Sequence, residues 1–180
     1  MRVRLVRPAL AHMEQALAYR QEHFDAGEFI INGSELLDRT DSYKKWLRAV
    51  TDNAFPDTVA KDWVQTDTFF AVDEQGQIVG IIDLRHELNA FLRNYGHTGY
   101  SVRPSQRRKG YATQMLSQIC FLAKHIGMPE LLLSVMRGNT ASVRTIQKNG
   151  GVYVRSFDHD GQPADVYRIT LRTEAQSPEN

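Results

Sequence analysis

One stretch constrains the fold more than any other: Tyr100-Ser-Val-Arg-Pro-Ser-Gln-Arg-Arg-Lys-Gly-Tyr-Ala112. An extended apolar run, His97 to Val102, is cut by Pro104 and becomes a loop holding Arg103, Arg107, Arg108, Lys109 and Gly110. The period then changes, and Ala112, Met115, Leu116, Ile119, Cys120 and Ala123 recur as the inward stripe of an amphipathic helix. A strand therefore delivers a basic, glycine-containing loop to a helix N-terminus. There the unpaired amides of the first turn and the helix dipole favour an anion. A side chain at position 110 would block close approach to those amides. The reading is a phosphate site.

The rest of the chain punctuates clearly. Residues 2 to 7 alternate as a first strand, and Pro8 opens a helical pattern with Leu10, Met13 and Leu17. Asp25 to Thr40 is irregular, with Gly27 and Asn32-Gly33 as breakers. A second helix after Asp41 puts Tyr43, Trp46, Leu47 and Val50 on one side. Thr68–Val72 and Ile78–Ile82 form two strands joined through the loop 73–77. Arg85 to Gly96 is a longer folded connection. The fourth strand, basic loop and third helix follow, and Gly127 with Pro129 stops that helix. Glu130–Val135 is the fifth strand, Asn139 caps a fourth helix that ends at Asn149-Gly-Gly151, and 152–156 pairs with 165–171 around Asp158-His-Asp-Gly161. The expected fold is α/β: a mixed sheet of about seven strands with four helices. The crossover helix predicts that 97–102 lies beside 130–135, parallel, in one sheet.

One domain over 1–172 suits this length, with a polar tail at 173–180. A net charge of +1 gives no global pull towards nucleic acid or a membrane, and no run approaches a transmembrane span. The one cysteine, Cys120, falls on the helix stripe and reads as core. It permits no internal disulfide and no zinc cluster, so no metal is expected and a reducing cytoplasm fits. The N-terminus lacks the apolar core of a signal peptide, and Asn32-Gly-Ser34 reads as a turn. The expected assembly is a monomer or a homodimer.

Arg107-Arg-Lys-Gly-Tyr-Ala112 resembles the Arg/Gln-x-x-Gly-x-Gly/Ala motif of the GCN5-related N-acetyltransferase (GNAT) superfamily. Asn139 to Gly151 resembles that family's second conserved helix, Asn-x-x-Ala/Ser ending in Lys-x-Gly. Within it, Arg85 to Asn89 and Gly96 to Pro104 are similar to segments of a bacterial branch of predicted acetyltransferases. The resemblance covers roughly residues 68 to 172 and implies acetyl transfer from acetyl-CoA to an amine acceptor. It implies that the amides of Arg107, Arg108, Lys109, Gly110, Tyr111 and Ala112 hold the pyrophosphate. The pantetheine arm would lie along Tyr100, Ser101 and Val102 like an added strand, a bulge near Tyr100 and Ser101 offering an amide to the thioester oxygen. Asn139 and Ser142 would contact the cofactor, and the two helices between the first strands would wall the acceptor pocket.

The catalytic groups are less legible. His97 enters the strand expected to present the thioester, and an ordinary imidazole suits removal of an amine proton near neutrality. His86 is the fallback, and Arg85 and Asp83 either orient an acceptor or pair with each other. Ile146 stands where many family members have a tyrosine that protonates the leaving thiolate, so Tyr167, Tyr153 or Tyr111 would have to serve. Loss of that acid keeps a second reading open, a non-catalytic acyl-CoA sensor. A nucleic-acid module using Arg103 to Lys109 is the third, and the near-neutral charge balance argues against it.

Overall fold

The computed structural model describes residues 2–171, so the expected tail at 173–180 lies outside the described residues. The elements run β1 (Val3–Val6), α1 (Met13–Asp25), α2 (Tyr43–Asn53), β2 (Thr66–Asp73), β3 (Ile78–Arg85), β4 (Tyr100–Val102), α3 (Tyr111–His125), β5 (Glu130–Met136), α4 (Thr140–Lys148), β6 (Val152–His159) and β7 (Gln162–Thr170). Seven strands and four α-helices among the described residues match the expected element order.

Strands β2 and β3 read as continuous apolar runs because both faces of their sheet are covered. Phe69, Ala71, Ile82 and Leu84 pack with Met115, Leu116 and Ile119 of α3. Phe70, Val72 and Ile81 pack on the other face with Tyr19 of α1 and Trp46 and Val50 of α2. Each fully buried aliphatic or aromatic side chain there contributes roughly 1.5–3 kcal/mol by leaving water. Ser42 caps α2 by accepting a hydrogen bond from the Lys45 amide, and Asn139 caps α4 through the Ser142 amide at 3.1 Å.

The expectation of one mixed sheet with 97–102 parallel to 130–135 is corrected here. There are two sheets, β1-β2-β3-β4 and β5-β7-β6, and every ladder in both is antiparallel. They touch through one isolated bridge, Gly96 to Leu133, beside which the His97 amide donates to Leu132 O at 2.7 Å. Beyond that point β4 and β5 separate. A strand pair must keep about 4.8 Å between backbones to hydrogen-bond; these two diverge, and the gap becomes a cleft. The bulge expected near Tyr100 and Ser101 is absent, since the β3–β4 register runs Gly80–Val102, Ile81–Ser101, Ile82–Tyr100 without a shift. Register shifts fall instead between Ala71 and Val72 and between Tyr153 and Arg155.

The irregular segment after α1 is the other surprise. Gly33 (φ +75°), Glu35 (φ +48°) and Leu36 (φ +68°) are all left-handed, a costly conformation for the two with side chains. The segment lies hard against β4: a Cβ on Gly33 would come within 2.1 Å of Gly99 O. Ser101 Oγ donates to Asn32 O, and Trp46 Nε1 donates to Ser34 O, so the strained turn is fixed from both sides. Gly33→Ala should therefore cost about 2 kcal/mol or more, through strain and displacement of the turn. Urea unfolding of the variant checks this; unchanged stability would mean that the turn is not held against β4.

Candidate functional site

Three adjoining cavities follow the divergence of β4 and β5. The outer one, about 850 Å³, runs over the start of α3, from Arg107 to Thr113, and along β4, with Asn139, Arg144 and Lys148 of α4 opposite. An inner chamber of about 220 Å³ lies between Gly99–Tyr100 and Leu133–Met136 and shares Asn32, Tyr100, Asn139 and Ser142 with the outer one. A third cavity, about 300 Å³, shares Asn32, Gly33, Arg85 and Tyr95 with the chamber and is walled largely by the segment 30–39.

The outer cleft is built for an anion. Gly110 caps α3 with φ +80°, and a Cβ there would meet nothing within 4 Å, so the residue opens the first-turn amides to the cleft. Arg108, with φ +63°, sets up the same turn. Tyr111 contributes backbone at this end, since its ring is 3% exposed in the core. Ala112 lines the cleft, Lys109 Nζ donates to Gln106, and Val102 O accepts from Arg107 Nε at 3.2 Å. Arg107 itself is engaged: its guanidinium makes a two-pronged ion pair with Glu28. Hydrogen bonds from Arg107 hold the Glu28 carboxyl down at about 2, and its other neighbour is His23 Nδ1 at 2.8 Å. The cations facing the cleft that form no ion pair among the described residues are Arg108, Arg144 and Lys148; Lys148 is the lysine of the Lys-x-Gly ending of the 139–151 segment, and Arg144 is at none of its specified positions.

Both residues expected to do chemistry sit elsewhere. His97 Nδ1 accepts the Leu132 amide at 2.9 Å, so the neutral ring carries its proton on Nε2 and has no lone pair left to act as a base. Burial also lowers its pKa, and it lines none of the three cavities. Tyr167 is 7% exposed in the core beneath Tyr153 and lines none either. His86 is bound through Nε2 to Asp67. Tyr100 lines both the outer cleft and the chamber, and its hydroxyl crosses from β4 to donate to Ser142 O at 3.4 Å; burial raises its pKa, keeping the phenol protonated. Ile146 is confirmed in the chamber wall, 1% exposed. Ser101 Oγ and carbonyl are both used, by Asn32 O and Tyr19 OH respectively.

The acid–base group the sequence did not disclose is Glu35. Its side chain is 5% exposed, Oε2 accepts from Trp63 Nε1 at 2.7 Å, and Oε1 lies 3.5 Å from Arg85 Nη2. Arg85 also bonds Asp83 Oδ2 at 2.7 Å and Gly96 O at 3.1 Å, so the expected Asp83–Arg85 pair exists and has a third member. Burial, then the Asp83 carboxylate, raises the Glu35 pKa to about 7, against which Arg85 pulls only in part. No signal in the sequence marks Glu35, because Arg85 and Trp63 reach it across 50 and 28 positions.

The acetyltransferase (GNAT) domain family model matches residues 2–152, and the chain belongs to that family. None of the curated proteins matches it. Among solved structures it is similar to RimL, a ribosomal α-N-protein acetyltransferase in complex with coenzyme A, with TM-score 0.70 and 12% identity over 94% of both chains. A protein from Salmonella typhimurium described as an acetyltransferase, with its cofactor acetyl-CoA, gives 0.66 and 15% over 97% of this chain and 96% of that one. A spermidine N-acetyltransferase chimera from Vibrio cholerae and hSSAT gives 0.64 and 15% over 95% and 96%. At these identities the likeness is one of fold.

The raised Glu35 pKa makes a stability prediction. Between the ordinary value of 4.5 and about 7 the folded protein holds a proton that the unfolded chain has released. The stabilisation is therefore complete below about pH 4.5 and is lost as pH rises through 7. Glu35→Gln cannot lose it. Thermal unfolding of both proteins at pH 5.5 and 8 should show wild type declining relative to the variant; a constant difference would place Glu35 in water.

Proposed function

We propose that the protein is an N-acetyltransferase, acting in a reducing cytoplasm, that moves acetyl from acetyl-CoA to a primary amine. The observation that carries this is the adjacency of an anion-binding cleft and a carboxylate-bearing cavity on either side of one small chamber at the β4–β5 divergence. The cleft fits the cofactor: Gly110 leaves the first-turn amides of α3 open, and Arg108, Arg144 and Lys148 supply positive charge facing them. Acetyl-CoA, when bound, supplies the acetyl group as a thioester. On this reading the pyrophosphate rests on residues 107–112, the pantetheine arm runs along Tyr100, Ser101 and Val102, and Asn139 and Ser142 border it from α4.

The acid–base roles are reassigned within the same site. His97 serves as a strut between the sheets, and Glu35 takes the proton from the incoming ammonium. Its pKa near 7 suits that task, because a weaker acid than an ordinary carboxyl is a stronger base. Arg85 and Trp63 hold the carboxylate in place, and Asp83 opposes its ionisation. Tyr100, in the wall shared by cleft and chamber, holds a proton on the side where the sulfur leaves; it replaces the hydroxyl that Ile146 lacks and Tyr167 is too remote to offer. That hydroxyl favours catalysis over the non-catalytic sensor.

Calorimetry and steady-state kinetics test the two halves separately. Gly110→Asp should weaken acetyl-CoA binding about tenfold or more, equivalent to about 1.4 kcal/mol, with the fold intact. Glu35→Gln should lower turnover by about 10²-fold and remove the acidic limb near pH 7, with cofactor affinity unchanged. An unaltered limb would return the base to another group.

A further inference from the structure

The third cavity has a chemistry of its own. Its wall gathers side chains that are otherwise anomalous on a surface: Ile30 is 66% exposed, Leu36 46%, Trp63 40%, Phe91 70% and Tyr95 41%. They come from three separated segments and converge on the carboxylate of Glu35, which is buried at the bottom. Scattered exposed apolar residues need no explanation, but a convergent set around one buried charge does. The charge balance is equally particular. Glu35, Asp38 and Asp62 face Arg39 and Arg85, leaving one surplus negative charge when all are ionised. Asp38 is committed to Ser34 Oγ at 2.9 Å and Asp62 is exposed, so the cation site inside is at Glu35.

Resting on the acetyl-transfer reading above, we propose that the acceptor is a small primary amine carried on a single apolar body, an alkyl or arylalkyl amine. Its ammonium meets Glu35, and its hydrocarbon or ring lies among Trp63, Phe91, Tyr95 and Leu36. A volume of about 300 Å³ fits one such group. A polyamine would find only the Ser34-bound Asp38 and the exposed Asp62 for its second ammonium, and an amino sugar would leave hydroxyls unpaired against the apolar wall. An α-amino acid would press its carboxylate towards Glu35 and the fully buried Asp83. The balance of the reaction is simple. One ammonium proton passes to Glu35, the N–C bond forms as the C–S bond breaks, and the thiolate takes a proton from Tyr100; the second proton that the nitrogen sheds restores the Tyr100 hydroxyl, leaving an N-acetylated amine, free coenzyme A and the one proton on Glu35.

The test is acetylation of a matched panel, read as thiol release and as product mass, beside calorimetry of acetyl-CoA. The panel is 2-phenylethylamine, hexylamine, spermidine, glucosamine and phenylalanine. The two apolar amines should exceed the other three by about tenfold or more in kcat/KM, the scale that hydrophobic pockets reach. Phe91→Ala, at an exposed position that the fold does not need, should raise KM for 2-phenylethylamine by about tenfold while kcat and cofactor affinity hold. Preferential acetylation of spermidine, glucosamine or phenylalanine would overturn the substrate class and leave acetyl transfer standing, as would an unchanged KM in Phe91→Ala. Cofactor binding with none of the five amines acetylated would overturn the apolar-amine acceptor, whereas no acetyl-CoA binding at all would overturn the acetyl-transfer reading beneath it.

Discussion

The structure depends on a failure of strand pairing. Two antiparallel sheets meet edge to edge, yet β4 and β5 share one bridge at Gly96 and Leu133 and then part. Unpaired edges are ordinarily a liability, because their amides and carbonyls seek partners. Here His97 makes the join strong at its narrow end. Its backbone donates to Leu132 O, and its ring accepts the Leu132 amide in return, a side chain completing what a ladder would have done. Everything outward of that clamp is an open wedge, and an extended ligand can pair with the edge that protein leaves bare.

The wedge is filled on one side by charge already spoken for. Two cations of the basic loop are paired: Arg107 is tied to Glu28, and Arg103 to Glu22. Those carboxylates belong to α1 and the turn behind it, so the pairs clamp the start of the irregular 28–36 segment to the basic loop. The same segment presents Asn32 to all three cavities and Glu35 to the innermost apolar one. The basic loop and the third cavity are thus joined through one short, strained turn. The positive charge for an anion falls to Arg108, Arg144 and Lys148, on two helices facing across the cleft.

Burying Glu35 next to Asp83 sets the protein's acid–base character. Two carboxylates share one guanidinium, so one of them holds its proton more tightly than an isolated acid would. The cost of that arrangement is met by packing around it: Trp63 donates to Glu35, Thr98 Oγ1 donates to Asp83 O, and the Gly99 amide donates to Asp83 Oδ1. Left-handed φ angles at Glu35 and Leu36 are the backbone's share of the same cost.

Local signals carried the elements. Alternating and 3.6-period patterns, glycine and proline stops, and Asn139 as a cap are properties of a few neighbouring residues, so β2, α3 and α4 could be read within a residue or two, while β3 runs three residues past the expected end. The basic loop opening α3 was legible for the same reason, and with it the phosphate site and the family resemblance. Sheet continuity was not, because whether β4 pairs with β5 depends on where Gly96, His97 and Leu132 meet in space. His97 was read as a base from its position on a strand; only the contact with Leu132 shows its nitrogen in use. Glu35 lay unnoticed in an irregular turn, since its pKa is made by Asp83, Arg85 and Trp63, three residues far along the chain. Chain order therefore determined the elements and the basic loop, while the cleft and the surroundings of Glu35, His97 and Tyr100 were decided by tertiary structure, because they consist of distances between segments that the sequence does not order in space.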